Sequence, residues 1–122
     1  MADALSTANA NAALTTIVSN WAYEQLHTGD PGSAGTSNVS STTTREAVTW
    51  GSPSAGSVAA SDEPEWTSWA GSNGEVVTDG SGWSLATSGT FEGSHPLSAS
   101  VTMDTGDSLT LVSVSISIPT AS

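Results

Sequence analysis

The hydrophobic pattern of the chain changes period once, near residue 21. Before that point Leu14, Ile17, Val18 and Trp21 recur at i, i+3, i+4 and i+7, one face of a helix. Residues 3 to 21 are therefore predicted helical, with Asp3 or Ser6 as the N-cap and the Ala-rich stretch Ala8 to Ala13 supplying propensity. The polar face of this helix holds Thr, Asn and Ser and no charge, which is unusual for a helix facing water; it reads first as an ordinary docked helix and second as a face that contacts a partner surface. After residue 21 the pattern is that of short strands. Tyr23 to Thr28 reads as a strand closed by the turn Gly29-Asp30-Pro31-Gly32, and residues 32 to 43 as a polar loop. Arg45 to Trp50 alternates, with Ala47 and Thr49 on one face and Glu46, Val48 and Trp50 on the other. Gly51 to Ser61 reads as a second loop, and Trp66 to Ala70 as a short apolar segment.

The last third carries the clearest strand signals. Glu75 to Thr78 is predicted to end in a tight turn at Asp79-Gly80, with further short strands at Trp83 to Ala86 and around Phe91. Leu97, Ala99, Val101 and Met103 alternate with Ser98, Ser100 and Thr102, the period of a half-buried strand. Beyond the turn Asp104-Thr105-Gly106-Asp107, Leu109 and Leu111 fall out of phase with Val112, Val114, Ile116 and Ile118, which predicts a bulge in the second strand of a hairpin. Short strands spaced in this way predict an all-β fold, a β-sandwich or small barrel of short antiparallel strands with one N-terminal α-helix. At 122 residues the chain has room for one domain, with residues 1–21 as the helix and 22–122 as the sandwich.

Charge narrows the functions. The net charge is -11, and Arg45 is the only Lys or Arg. Nothing is present to neutralise phosphates, so no nucleic-acid partner is expected, and an anionic membrane would repel the chain. There is no cysteine, no basic N-terminal region and no long apolar run, so neither a disulfide, a signal peptide nor a membrane span is expected. Synthesis in the cytoplasm follows, with a larger assembly to carry the protein elsewhere.

Candidate chemistry is sparse. His27 and His95 are the only side chains that ordinarily titrate near neutrality, and no Gly-x-Ser-x-Gly elbow accompanies the many serines. His27, next to a turn, is expected to bond backbone, and His95, beside Pro96, to lie exposed. The carboxylate clusters Asp62-Glu63-Pro64-Glu65 and Asp104-Thr105-Gly106-Asp107 lack the spacing of a Ca²⁺ loop and read as solvated turns. No catalytic, cofactor-binding or metal-binding residue is assigned, and no enzyme is expected. Arg45, one cation among twelve acids, is expected to pair with carboxylate, either locking a loop or subunit boundary or as a weak surface pair. Of the five tryptophans, Trp21, Trp50 and Trp83 are expected in the core. Trp66 and Trp69, flanked by acid and glycine, are either core or interface anchors. The interface candidates are thus Trp66, Trp69, Arg45, Leu14 and Ile17.

The run Leu26-His27-Thr28-Gly29-Asp30-Pro31-Gly32 after a short Ala-rich helix resembles a family of small virion proteins of phages that infect actinobacteria. Thr44 to Trp50, Gly89-Thr90-Phe91 with Pro96-Leu97, and Gly106 to Thr110 recur in the same order, so the resemblance spans residues 3 to 118. Two features depart from it: the absence of lysine and a Ser-rich C-terminal stretch. The resemblance implies a β-sandwich on a phage particle, described variously as capsid decoration, minor tail or tail fibre protein. The expected role is a capsid decoration protein that binds the major capsid protein on the outer surface of the head. Self-association as a trimer would match local threefold positions of a shell. The alternative is a minor tail or tail-fibre protein contacting host glycan through Trp66 and Trp69.

Overall fold

A computed structural model describes residues 4–112 and 114–121. Helix α1 spans Thr7–Asn20 and is capped by Ser6, whose hydroxyl accepts the Asn9 N–H at 3.2 Å. The other predicted cap, Asp3, lies outside the described residues. Ala10 and Leu14 are buried and Ile17 and Val18 half-buried, so the predicted face is the one that packs. Asn11 fixes the helix to the strands beneath by accepting the Gly56 N–H at 2.9 Å.

Among the described residues nine strands follow: β1 (Tyr23–His27), β2 (Glu46–Ala47), β3 (Thr49–Trp50), β4 (Ser57–Asp62), β5 (Glu65–Trp66), β6 (Glu75–Trp83), β7 (Phe91–Met103), β8 (Leu109–Thr110) and β9 (Ser115–Ser117). They form a four-stranded sheet in the order β2-β1-β6-β7, a three-stranded sheet β3-β4-β9 and a two-stranded ladder β5-β8, all antiparallel. This is a small β-sandwich with one N-terminal helix; among the described residues no sheet closes into a barrel. Its core gathers Leu26, Val77 and Met103 from the four-stranded sheet against Trp66, Trp69, Leu109, Leu111 and Val114. No helix among the described residues is long and apolar enough to cross a membrane.

The structure departs from the sequence pattern where strands change partner. The predicted strand Arg45 to Trp50 keeps its two faces but divides at Val48, whose burial marks the crossing from one sheet to the other. The predicted loop Gly51 to Ser61 holds β4, reached through the Ser54–Ser57 turn, where Ala55 and Gly56 both have positive φ (52° and 77°), the geometry of a two-residue hairpin turn. Asp79-Gly80 is no turn: β6 runs straight through it, with Gly80 opposite Leu26 on β1 and His95 on β7. The glycine serves clearance there, since a Cβ would stand 2.9 Å from the His95 ring. Trp83 closes β6 and no strand continues to Ala86; of the Trp66–Ala70 segment only Trp66 is in a strand.

The irregularities of the last third are exchanged. β7 is longer than predicted and carries the bulge: Val77 pairs with Val101 and Asp79 with Pro96, leaving Leu97 to Ser100 opposite Thr78 alone. Pro96 is tolerated because it lies at this irregularity on an edge strand. The predicted bulged strand after Asp107 is instead broken, β8 pairing with β5 and β9 with β4, and neither pairs with β7 as a hairpin. The phase slip between Leu111 and Val112 is the point of the break, with Leu111 buried and Val112 60 % exposed.

Candidate functional site

Strand β1 is buried along nearly its whole length, Glu24, Gln25, Leu26 and His27 all being buried. Alternation sends Glu24 and Leu26 to one face of the sheet and Gln25 and His27 to the other, so each face encloses a polar cluster.

On the first face the Trp21 indole lies flat against Gly82 and Gly93, and its Nε1–H donates to Glu24 Oε1 at 3.1 Å. His95 Nε2 reaches the same oxygen at 3.0 Å, while Glu24 Oε2 is buried without a partner. Burial pushes the Glu24 carboxyl above its usual range, against the hydrogen bonds of His95 and Trp21 and the charge of His95. Burial alone would lower His95; the hydrogen bond and charge of Glu24, with smaller help from Pro96 and Asp79, outweigh it and raise the imidazole. His95 is therefore the partner of a buried acid and not the exposed turn residue the sequence suggested.

On the other face His27 is fully enclosed. Its Nδ1 lies 2.8 Å from the Ser37 carbonyl, which only accepts, so Nδ1 carries the proton. Nε2 then accepts from the Ser81 hydroxyl at 2.7 Å, and Ser81 in turn accepts from Trp83 Nε1–H at 2.8 Å. Each member of the chain is satisfied with neutral histidine, and burial lowers its titration, opposed in part by Ser37, Asp79 and Asn38. The Ser81–His27 pair has the spacing of a nucleophile and base, yet both residues are 0 % exposed and the third group is a backbone carbonyl. The backbone bond expected for His27 is present.

Arg45 has a different role from the carboxylate pair expected of it. Its guanidinium lies 4.0 Å over the Trp83 ring, Nε donates to Gln25 Oε1 at 3.2 Å, and Nη1 donates to the Leu85 and Ser88 carbonyls at 2.9 and 2.6 Å. The ion pair present among the described residues is Glu24–His95, and Arg45 takes no part in it. It clamps the connection between β6 and β7, in which Ser88 and Gly89 both have positive φ. Burial lowers its titration.

The remaining interface candidates divide. Trp66 and Trp69 are 3 % and 2 % exposed, and their N–H groups donate to the Thr44 and Ser72 carbonyls. With their faces in the core they expose little area to stack on sugar or anchor a partner. Leu14 is fully buried on the packed face of α1, and Ile17 is half-buried on the same helix. A polar hollow of about 320 Å³ runs beside the two tryptophans, lined by Thr42, Thr43, Thr44, Glu46, Thr67 and Ser68 among others. The acidic turns are engaged locally: Asp107 accepts the Asp104 N–H, Asp30 the Gly32 N–H, and Glu65 the Thr110 hydroxyl. Among the described residues no three His, Asp or Glu side chains converge as a metal site.

What the sequence did not disclose is a groove of about 440 Å³ between β7 and the segment from Leu109 to Ser115. It is walled by Leu97, Ala99, Val101, Leu109, Leu111 and Val114, with His95 at one end. Neither the β7 bulge nor the break after Leu111 that open it is marked by a glycine or a turn dipeptide.

No curated protein matches the sequence. Residues 1–119 match the family described as Podophage GP4 fiber I protein gp80. That is a phage fibre family and not the decoration family that the Leu26–Gly32 run resembles, and the broader expectation of a phage structural protein stands. With nearly its whole length matched, the chain belongs to the Podophage GP4 fiber I protein gp80 family.

Proposed function

We propose that the chain is a non-enzymatic structural component of a phage fibre, acting by adhesion through preformed surfaces. The family match over residues 1–119 carries this reading. The packing agrees with it: the side chains most suited to chemistry, His27, Ser81 and Glu24, are consumed in holding β1 between its two faces. Contact with a host surface, if it is the fibre's task, does not pass through Trp66 and Trp69, and the hydroxyl-lined hollow beside them is the remaining polar recess.

A second reading, decoration of the head with the major capsid protein as partner, is favoured by the outer face of α1. Ala8, Ala12, Thr15, Thr16 and Ser19 are exposed there without a single charge. Quantitative mass spectrometry of purified particles with immunogold labelling separates the two. A small number of copies, labelled at the tail, supports the fibre. A ratio to the major capsid protein near unity or a simple fraction, labelled over the head, refutes it in favour of decoration.

A further inference from the structure

We propose that the groove beside β7 is the contact between two copies of this chain, paired about a twofold axis so that Val112 of each enters the groove of the other. This goes beyond the fibre reading and holds for either location on the particle.

The first observation is chemical. The chain has twelve Asp and Glu against one Arg, so two copies repel each other over most of their surface. No carboxylate lines this groove, and its only titratable side chain is His95. The polar hollow, by contrast, includes Glu46. Glu65 approaches one end of the groove but is held by the Thr110 hydroxyl. A strongly basic partner would be drawn to the acidic turns and gain nothing here. An equally acidic copy can close only on a face such as this one.

The second is shape. Val112 is 60 % exposed, the most exposed large aliphatic side chain of the described residues, and it stands on the groove's own rim. A projecting apolar side chain and an apolar recess on one face are self-complementary, which is what an isologous contact requires. The third is backbone. At the bulge Leu97 to Ser100 are extended but face only Thr78 on β6, and among the described residues β7 has no strand on its outer side. About Ala99 a twofold axis sets Leu97 opposite Val101 and Ser98 opposite Ser100, so no like charges meet and unpaired backbone groups gain partners. The trimer was expected only from the local threefold positions of a shell; this geometry favours a pair.

The test is the molar mass of the purified chain by light scattering over a dilution series. Three exposed positions give variants that keep the fold, checked by circular dichroism: Val112→Glu, Ala99→Glu, and Leu85→Glu as a control that adds the same charge on the β6–β7 connection. Twice the chain mass for the wild type and Leu85→Glu, with loss of the doubled mass in Val112→Glu and Ala99→Glu, is the expected result. A single-chain mass for the wild type at every concentration, or a threefold mass, overturns the pairing. So does a doubled mass that survives both groove variants or disappears in Leu85→Glu.

Discussion

Replacing Gly82 by Ala tests the packing of the first buried cluster directly. A Cβ at Gly82 would stand 1.9 Å from Trp21 Cε2 and 2.1 Å from Nε1, where ordinary contact begins near 3.4 Å. The indole must therefore retreat by about 1.5 Å, and it cannot do so freely, because the Trp50 ring stands nearly perpendicular to it at 5.9 Å and the His95 ring lies 6.3 Å away. Retreat also breaks the Trp21–Glu24 hydrogen bond, removing one of the two donors to a carboxylate whose other oxygen is already unpartnered. Overpacking costs about 1–3 kcal/mol and the lost bond to a charged acceptor about 1.5–3 kcal/mol. The stiffer backbone of alanine returns about 0.5–1 kcal/mol. The net loss is about 2–5 kcal/mol, a large part of the roughly 5–15 kcal/mol of a whole domain, read as a shift of the urea midpoint at constant slope.

Two companion variants make the reasoning refutable. A Cβ at Gly93 meets the same ring at 2.9 Å, so Gly93→Ala requires a movement of only about 0.5 Å and should cost less than Gly82→Ala. In a Trp21→Ala background the Gly82→Ala change should lose its cost, since the ring it strikes is gone. A Gly82→Ala protein within about 1 kcal/mol of wild type, or a cost that persists without Trp21, sinks the account.

Arg45→Lys keeps the charge but loses the fork that spans Gln25, Leu85 and Ser88 and the stack on Trp83; a loss of about 1–3 kcal/mol and faster amide exchange in the β6–β7 connection are expected, and unchanged exchange would show that the clamp is incidental. His95 is raised from 6.5, so its contribution is complete below pH 6.5 and is lost as pH rises through the folded value; stability should fall there by up to about 1.4 kcal/mol per pH unit, and His95→Gln should remove that slope. His27 is lowered from 6.5, so its contribution is complete above 6.5 and is lost as pH falls through the folded value; a ring that already takes up its proton at or above 6.5 by NMR titration would contradict the neutral tautomer bound to Ser37 and Ser81. Glu75 is lowered from 4.5: burial opposes ionisation, but donors from Ser40 and Ser41 outweigh it. Its support is present above pH 4.5 and vanishes as pH falls, so Glu75→Gln should destabilise at neutral pH by about 1–2 kcal/mol and have little effect in acid.

Helix α1, β1, the faces of the Arg45–Trp50 segment and the Asp104–Asp107 turn were legible because local signals and packing agree there. The failures share a cause: a residue type with two uses. Asp79-Gly80 reads as a turn, but Gly80 is glycine to admit His95 and Glu24, a requirement set by strands distant in sequence. Ala55-Gly56 is a turn that reads as loop, because alanine at positive φ is not a residue from which a tight turn is inferred. Tryptophans beside acid and glycine look exposed, yet Trp66 and Trp69 are carried inward by pairing to Leu109 and by the Trp69–Asp107 backbone bond. His95 gained its partner from Glu24, and nothing in either local sequence announces that contact.

The tryptophans also bear on where adhesion resides. Each of the five N–H groups donates within the fold: Trp21 to Glu24, Trp50 to the Trp21 carbonyl, Trp66 to Thr44, Trp69 to Ser72 and Trp83 to Ser81. Two of these bonds, from Trp50 to Trp21 and from Trp66 to Thr44, join segments that enter different strands, and the rings supply area that a chain short of Leu and Ile otherwise lacks. An aromatic used in this way cannot also serve as an anchor, because drawing it out would leave both a cavity and an unpaired carbonyl or carboxylate. Recognition then falls to what the fold leaves outside: the uncharged face of α1, the hydroxyl-lined hollow, and the aliphatic groove with Val112 at its rim. Of these, the groove alone joins exposed apolar area to unpaired strand backbone, and that combination makes it the place where a second acidic chain can bind without meeting its own charge.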